Sequence, residues 1–104
     1  MTFMNEYDID DALGYFRDDP IVGPAVVTLD NLRRCVDRNS DGWAYWPKPT
    51  RAAAQLMELI GEAQREYRYS GETTVTAAQV RKAYGPIKAF LTRSGLTCEI
   101  VSPS

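Results

Sequence analysis

The residues Asp37-Arg38-Asn39-Ser40-Asp41-Gly42 reproduce the first half of a calcium loop, with oxygen ligands at positions one, three and five and glycine at six. The second half does not follow. Position eight is Ala44, and position twelve, where a bidentate glutamate belongs, is Lys48, so two ligands are replaced by a cation. The run is predicted to be an Asx-rich helix stop, and no metal site is assigned. The other raw materials of chemistry are sparse. The chain has no histidine, which removes Ser-His-Asp and Cys-His triads, histidine metal sites and the side chain best matched to proton transfer near neutral pH. Cys35 and Cys98 are far apart without a C-x-x-C pair, so neither a zinc site nor a thioredoxin-type motif is available. Both cysteines have the spacing of small core residues, and a single bridge between them stays open. No glycine-rich phosphate loop and no G-x-S-x-G elbow occurs. An acid–base step would rest on Asp, Glu, Lys, Tyr or Cys with no visible pairing. The expectation is a protein that is not an enzyme and uses no cofactor.

Two constellations are suited to binding instead. Trp43, Tyr45 and Trp46 bring both tryptophans of the chain into four residues, between a glycine turn and Pro47-Lys48-Pro49. Rigid aromatic side chains lose little entropy on binding, and Trp and Tyr dominate contact hot spots, so these three are the expected partner-binding residues. A core lid is the competing role for the same side chains. The second constellation is basic. Thr76 to Cys98 holds Arg81, Lys82, Lys88 and Arg93 with no acid, whereas residues 1–19 hold six acids against Arg17. The net charge of -2 and pI near 5.0 average over this gradient. Solvated helix surface accounts for such a gradient equally well.

The segment from Gln79 to Ser94 resembles the DNA-binding helix-turn-helix, with Gly85 as the turn and Val80, Tyr84 and Leu91 at the family's apolar positions. It departs from the pattern at Arg81, where a small residue is usual, and at Pro86, directly after the turn glycine. The resemblance implies that Lys88, Thr92 and Arg93 face the groove of duplex DNA while Arg81 and Lys82 touch phosphates.

The elements that must position these residues follow from apolar spacing and caps. A length of 104 residues, 44% hydrophobic and 25% charged, suits one soluble domain able to bury about two-thirds of its unfolded surface. A first helix is expected over 9–17, capped by Asp8, and a second over 28–38, capped by Thr28 with Val27 stapled onto Leu32. Residues 43–46 should be extended. Thr50 should cap the longest helix, 50–69, which stops at Gly71. Thr76 and Gln79 have the spacing of a capping box that opens a fourth helix ending at Gly85-Pro86, and a fifth runs over 87–94. Leu96 to Val101 alternates as a strand. Glu58, Glu62 and Glu66 form a solvated face. The predicted fold class is mainly α: a single domain over 1–104, about five helices, a minimal two-stranded β element made of 43–46 and 96–101, and a frayed tail at 102–104.

The run from Asn39 to Ala53, followed by Leu56-Met57-Glu58-Leu59-Ile60, is similar to stretches in small proteins of bacteriophages that infect actinobacteria. The resemblance implies a cytoplasmic protein made inside a bacterial host, a compact inhibitor or adaptor acting by contact, and it assigns no residue a role. The acid-rich N-terminus is unlike a secretory signal. Together these readings predict a non-enzymatic interaction module that binds a protein partner through Trp43, Tyr45 and Trp46. DNA binding by the basic 76–95 hairpin is the alternative, and no membrane is involved.

Overall fold

The computed structural model of the chain describes residues 6–37 and 47–103. Among them are four helices: α1 (Glu6–Phe16), α2 (Val22–Asp37), α3 (Pro47–Ser70) and α4 (Ala77–Ser94). The mainly helical prediction holds, but five helices and a β element do not: no strand forms among the described residues. Each helix buries one stripe at helical spacing. Ile9, Ala12 and Phe16 come from α1, Val22, Val26, Leu29 and Leu32 from α2, Ala53, Leu56, Ile60 and Ala63 from α3, and Val80, Tyr84, Ile87 and Leu91 from α4, all in one core. No helix is long and apolar enough to cross a membrane among the described residues.

The helix α2 starts earlier than its sequence signals suggest. Asp19 is the cap: its carbonyl accepts Gly23 N–H at 3.1 Å, and its carboxylate Oδ1 accepts Ile21 N–H at 2.9 Å and Val22 N–H at 2.7 Å. Pro20 sits in the first turn, where its missing N–H has no intrahelical partner to lose. Thr28, expected as the cap, is instead fully buried in mid-helix. The turn from α1 into α2 is tight enough that a Cβ on Gly23 would lie 2.7 Å from the Phe16 carbonyl oxygen.

With 24 residues, α3 is about 36 Å long at ~1.5 Å per residue, close to the 39 Å long axis of the molecule. It begins at Pro47 rather than Thr50, because prolines are tolerated in a first turn. Gly71 at φ +78° ends it as expected. The six residues 71–76 then return the chain antiparallel, with the Glu66 carboxylate accepting Thr73 Oγ1–H at 2.7 Å and Thr74 N–H at 3.1 Å. Glu66, still solvated as expected, thus also clasps the turn.

The capping box of α4 is present as predicted: Gln79 N–H donates to Thr76 Oγ1 at 3.2 Å and Thr76 N–H to Gln79 Oε1 at 2.8 Å. The helix does not break at Gly85-Pro86; it runs through to Ser94 and stops at Gly95, φ +66°. An interior proline costs about 3 kcal/mol, whereas each large apolar side chain buried along the stripe contributes ~1.5–3 kcal/mol. Val80, Tyr84, Ile87, Phe90 and Leu91 are buried on both sides of the proline. Lys82, Gly85 and Pro86 are exposed, so the Lys82 carbonyl that loses its donor is on the side of the helix that solvent can reach. Continuity wins, and the two-helix geometry of a helix-turn-helix is absent.

Residues 96–103 form a strap across α2 and α4. Leu96, Cys98 and Ile100 pack against the core, so the predicted alternation is real. The backbone partners are side chains instead of a second strand. Cys35 Sγ–H donates to the Thr97 carbonyl at 2.9 Å and Asn31 Nδ2–H to the Glu99 carbonyl at 3.1 Å, while Thr28 Oγ1 accepts Val101 N–H at 2.9 Å. Steps of two residues on the strap meet steps of three or four on α2, because both repeats advance about 5–7 Å. Residues 102–103 were expected to fray, but Pro103 is buried and its carbonyl accepts the Arg81 guanidinium at 3.2 Å.

Candidate functional site

One continuous helix now carries every basic residue singled out in the sequence. Arg81, Lys82, Lys88, Thr92 and Arg93 are all exposed on α4. At ~100° per residue, Arg81, Lys88 and Thr92 fall within about 40° of one another and Lys82 and Arg93 within about 20°, two stripes about 110° apart on the exposed side of the helix. Along the axis Arg81 and Lys88 stand ~10 Å apart and Lys82 and Arg93 ~16 Å. Between the two stripes lie Ala78, Gly85 and Ala89, which are too small to hold a partner's backbone away. No carboxylate lies on α4. The ion pairs among the described residues join Arg33 and Arg34 to Asp10 and Asp30, far from this face.

Two of the five have local duties as well. Arg81 is tied to the Pro103 carbonyl, which limits its reach and holds its charge at the strap end of the face. Thr92 Oγ1–H donates to the Lys88 carbonyl at 3.0 Å, so its hydroxyl serves the helix rather than an outside acceptor. Lys82, Lys88 and Arg93 are the more available cations.

Arg51 was missed in the sequence and belongs with them. The antiparallel α3–α4 pair brings the first turn of α3 beside the last turn of α4. There Arg51 and Arg93 flank an open groove of about 610 Å³ lined also by Ala52, Phe90 and Ser94. The signal that could have found it is the short connection at 71–76, which forces the far ends of the two helices together. Trp43, Tyr45 and Trp46 lie outside the described residues, as do Asn39 to Gly42 of the half calcium loop.

A second, smaller cluster lies at the opposite side. Tyr67 Oη–H donates to Asp19 Oδ2 at 2.5 Å, and its ring packs against Phe16 and Tyr15 beside a shallow groove of about 330 Å³. Burial alone would raise the Asp19 carboxyl, but the bonds from Tyr67, Val22 and Ile21 outweigh it and leave the group below its usual value. The same bond, with burial, pushes Tyr67 up to about 12. These groups cap α2 and tie α1 to α3, and that accounts for their arrangement. Asp11 on α1 and Asp18 just after it are exposed, whereas the charged residues of α4 are all cations.

No protein-family model matches the chain, and neither a curated protein nor a solved structure is significantly similar to it. The functional reading therefore rests on its own residues.

Proposed function

We propose that this protein is a non-enzymatic interaction module that docks the phosphate backbone of a nucleic acid through the exposed cations of α4. The observation that carries the reading is the unopposed positive face formed by Lys82, Lys88 and Arg93, extended by Arg81 and Arg51. A nucleic acid is favoured over an acidic protein by what the face lacks. The exposed large hydrophobic residues among those described are Tyr15, Val27 and Tyr69, and none is on α4. A protein hot spot would need such an anchor, whereas phosphate contact does not. Without the helix-turn-helix geometry, binding should be tolerant of sequence. The experiment is fluorescence anisotropy with a labelled duplex of arbitrary sequence across a salt series. Affinity should fall steeply with ionic strength; no binding at low salt overturns the reading.

A second reading assigns the contact to a protein partner and to Trp43, Tyr45 and Trp46. Its support is compositional, together with connectivity: residue 46 is joined to Pro47, one helical turn before Arg51. A small accessory protein of the bacteriophage kind would act in this way, by covering a host surface. Trp43→Ala and Tyr45→Ala should then abolish a partner recovered by pull-down while leaving duplex affinity unchanged.

A further inference from the structure

The two cysteines, 63 positions apart by their residue numbers, converge at one point of the fold. Cys35 is 7% exposed on α2, and its thiol donates to the carbonyl oxygen of Thr97, one peptide bond from Cys98. Cys98 is half-buried, packs against the core, and lies within side-chain hydrogen-bonding reach of Cys35. Neither is in a disulfide in this structure. They meet at the first of the three points that hold the strap to α2, ahead of the bonds made by Asn31 and Thr28.

We propose that Cys35 and Cys98 are a redox-set latch: a small-molecule disulfide such as oxidised glutathione converts the pair to a disulfide that fixes the 96–103 strap to α2. The more accessible Cys98 loses its proton to solvent, and its sulfur attacks one sulfur of the small disulfide. That S–S bond breaks and one small thiol leaves. Cys35 then gives up to solvent the proton it donates to the Thr97 carbonyl, and its thiolate attacks the Cys98 sulfur of the mixed disulfide and expels the second small thiolate, which like the first takes up a proton from solvent. Two protein thiols are oxidised, one small disulfide is reduced to two thiols, and no other electron acceptor is needed.

Burial pushes the Cys98 thiol up to about 11, with the Cys35 and Glu99 neighbours adding to it, so the first step is slow at neutral pH and accelerates with alkalinity. The product is favoured because folding has already brought the sulfurs together. With the bond open, the strap rests on hydrogen bonds from single side chains and can detach locally; with it closed, detachment requires α2 to move as well.

The test equilibrates the full chain in glutathione buffers of graded ratio, in native solution and in denaturing urea, and follows intact mass and amide exchange. In native solution the chain should lose about 2 Da as a monomer, with Cys35 and Cys98 peptides joined on digestion. The bridging constant should be roughly 100-fold or more above that in urea, and exchange of the Val101 amide, the strap N–H that Thr28 accepts, should slow by about tenfold or more on oxidation. Cys98→Ser, a near-isosteric change at a half-buried position, should show no mass loss. Equal constants in native solution and urea, glutathione adducts or dimers in place of the internal bond, or unchanged exchange at Val101 would each overturn the proposal.

Discussion

Thr28 and Tyr84 meet hydroxyl to hydroxyl at 3.2 Å in the interior, and both also bind Val101. Val101 N–H donates to Thr28 Oγ1, Thr28 Oγ1–H donates to Tyr84 Oη, and Tyr84 Oη–H donates to the Val101 carbonyl at 2.8 Å. The ring closes with each hydrogen used once, joining α2, α4 and the strap without leaving a buried polar atom unpaired.

Removing either hydroxyl opens that ring. Thr28→Val keeps the shape but strands Val101 N–H and should cost about 1–3 kcal/mol; Tyr84→Phe should cost ~1–2 kcal/mol. The double variant should lose less than the sum of the two, by roughly 0.5 kcal/mol or more. Urea denaturation with amide exchange at Val101 measures both effects, and strict additivity would show that the three groups do not act as one unit.

The Asp19–Tyr67 bond predicts a pH dependence with two limbs. Asp19 has a folded pKa below its usual 3.8, so its contribution is present above that value and is lost as pH falls through the folded one. Tyr67 is raised from 10 to about 12, so its contribution is complete below pH 10 and disappears as pH climbs toward 12. In Tyr67→Phe both limbs should flatten in a plot of Tm against pH. Asp19→Ala should lower stability near neutrality by about 1 kcal/mol through loss of the α2 cap.

Part of the local grammar was legible in the sequence, though not the start of α1, which opens at Glu6, ahead of the expected cap Asp8. Thr76 with Gln79, and Gly71, stand where their residue types placed them, and most of the apolar stripes were readable from spacing, though not Val22, Ala25 and Val26 at the start of α2. Thr28 misled because a threonine after a valine looks like a cap, while its buried role depends on Val101, 73 residues away. Gly85-Pro86 looked like a stop because the penalty is local and the stripe that outweighs it is tertiary. Residues 96–101 have a strand's alternation, but a run of donors on α2 supplies its partners, and nothing in the strap itself announces them. For the same reason Arg51, 42 positions from Arg93, carried no mark of belonging beside it.

The continuity of α4 is itself testable. Gly85 has open space where a Cβ would go, and Pro86 deprives only a carbonyl on the exposed side of the helix. Replacing both with alanine should therefore raise helical CD and stability by about 1 kcal/mol or more. A loss of stability on the same change would mean that the pair forms a required turn.

Gly23 should behave oppositely. A methyl group there would press on the Phe16 carbonyl oxygen, and backbone on both sides leaves little room to yield. Gly23→Ala should cost ~1–3 kcal/mol in thermal or urea unfolding, in spite of alanine's better helix propensity; a gain would show that the α1–α2 turn relaxes freely.

The most direct test of the cationic face reverses it. With contacts to about four phosphates, log affinity for duplex DNA against log salt should have a slope near -3.6 for the native chain. In Lys88→Glu/Arg93→Glu the slope should fall to about half that and affinity at low salt should drop by roughly tenfold or more, with CD and Tm little changed. Equal slopes and affinities for the two proteins would contradict the assignment of α4 as the contact surface.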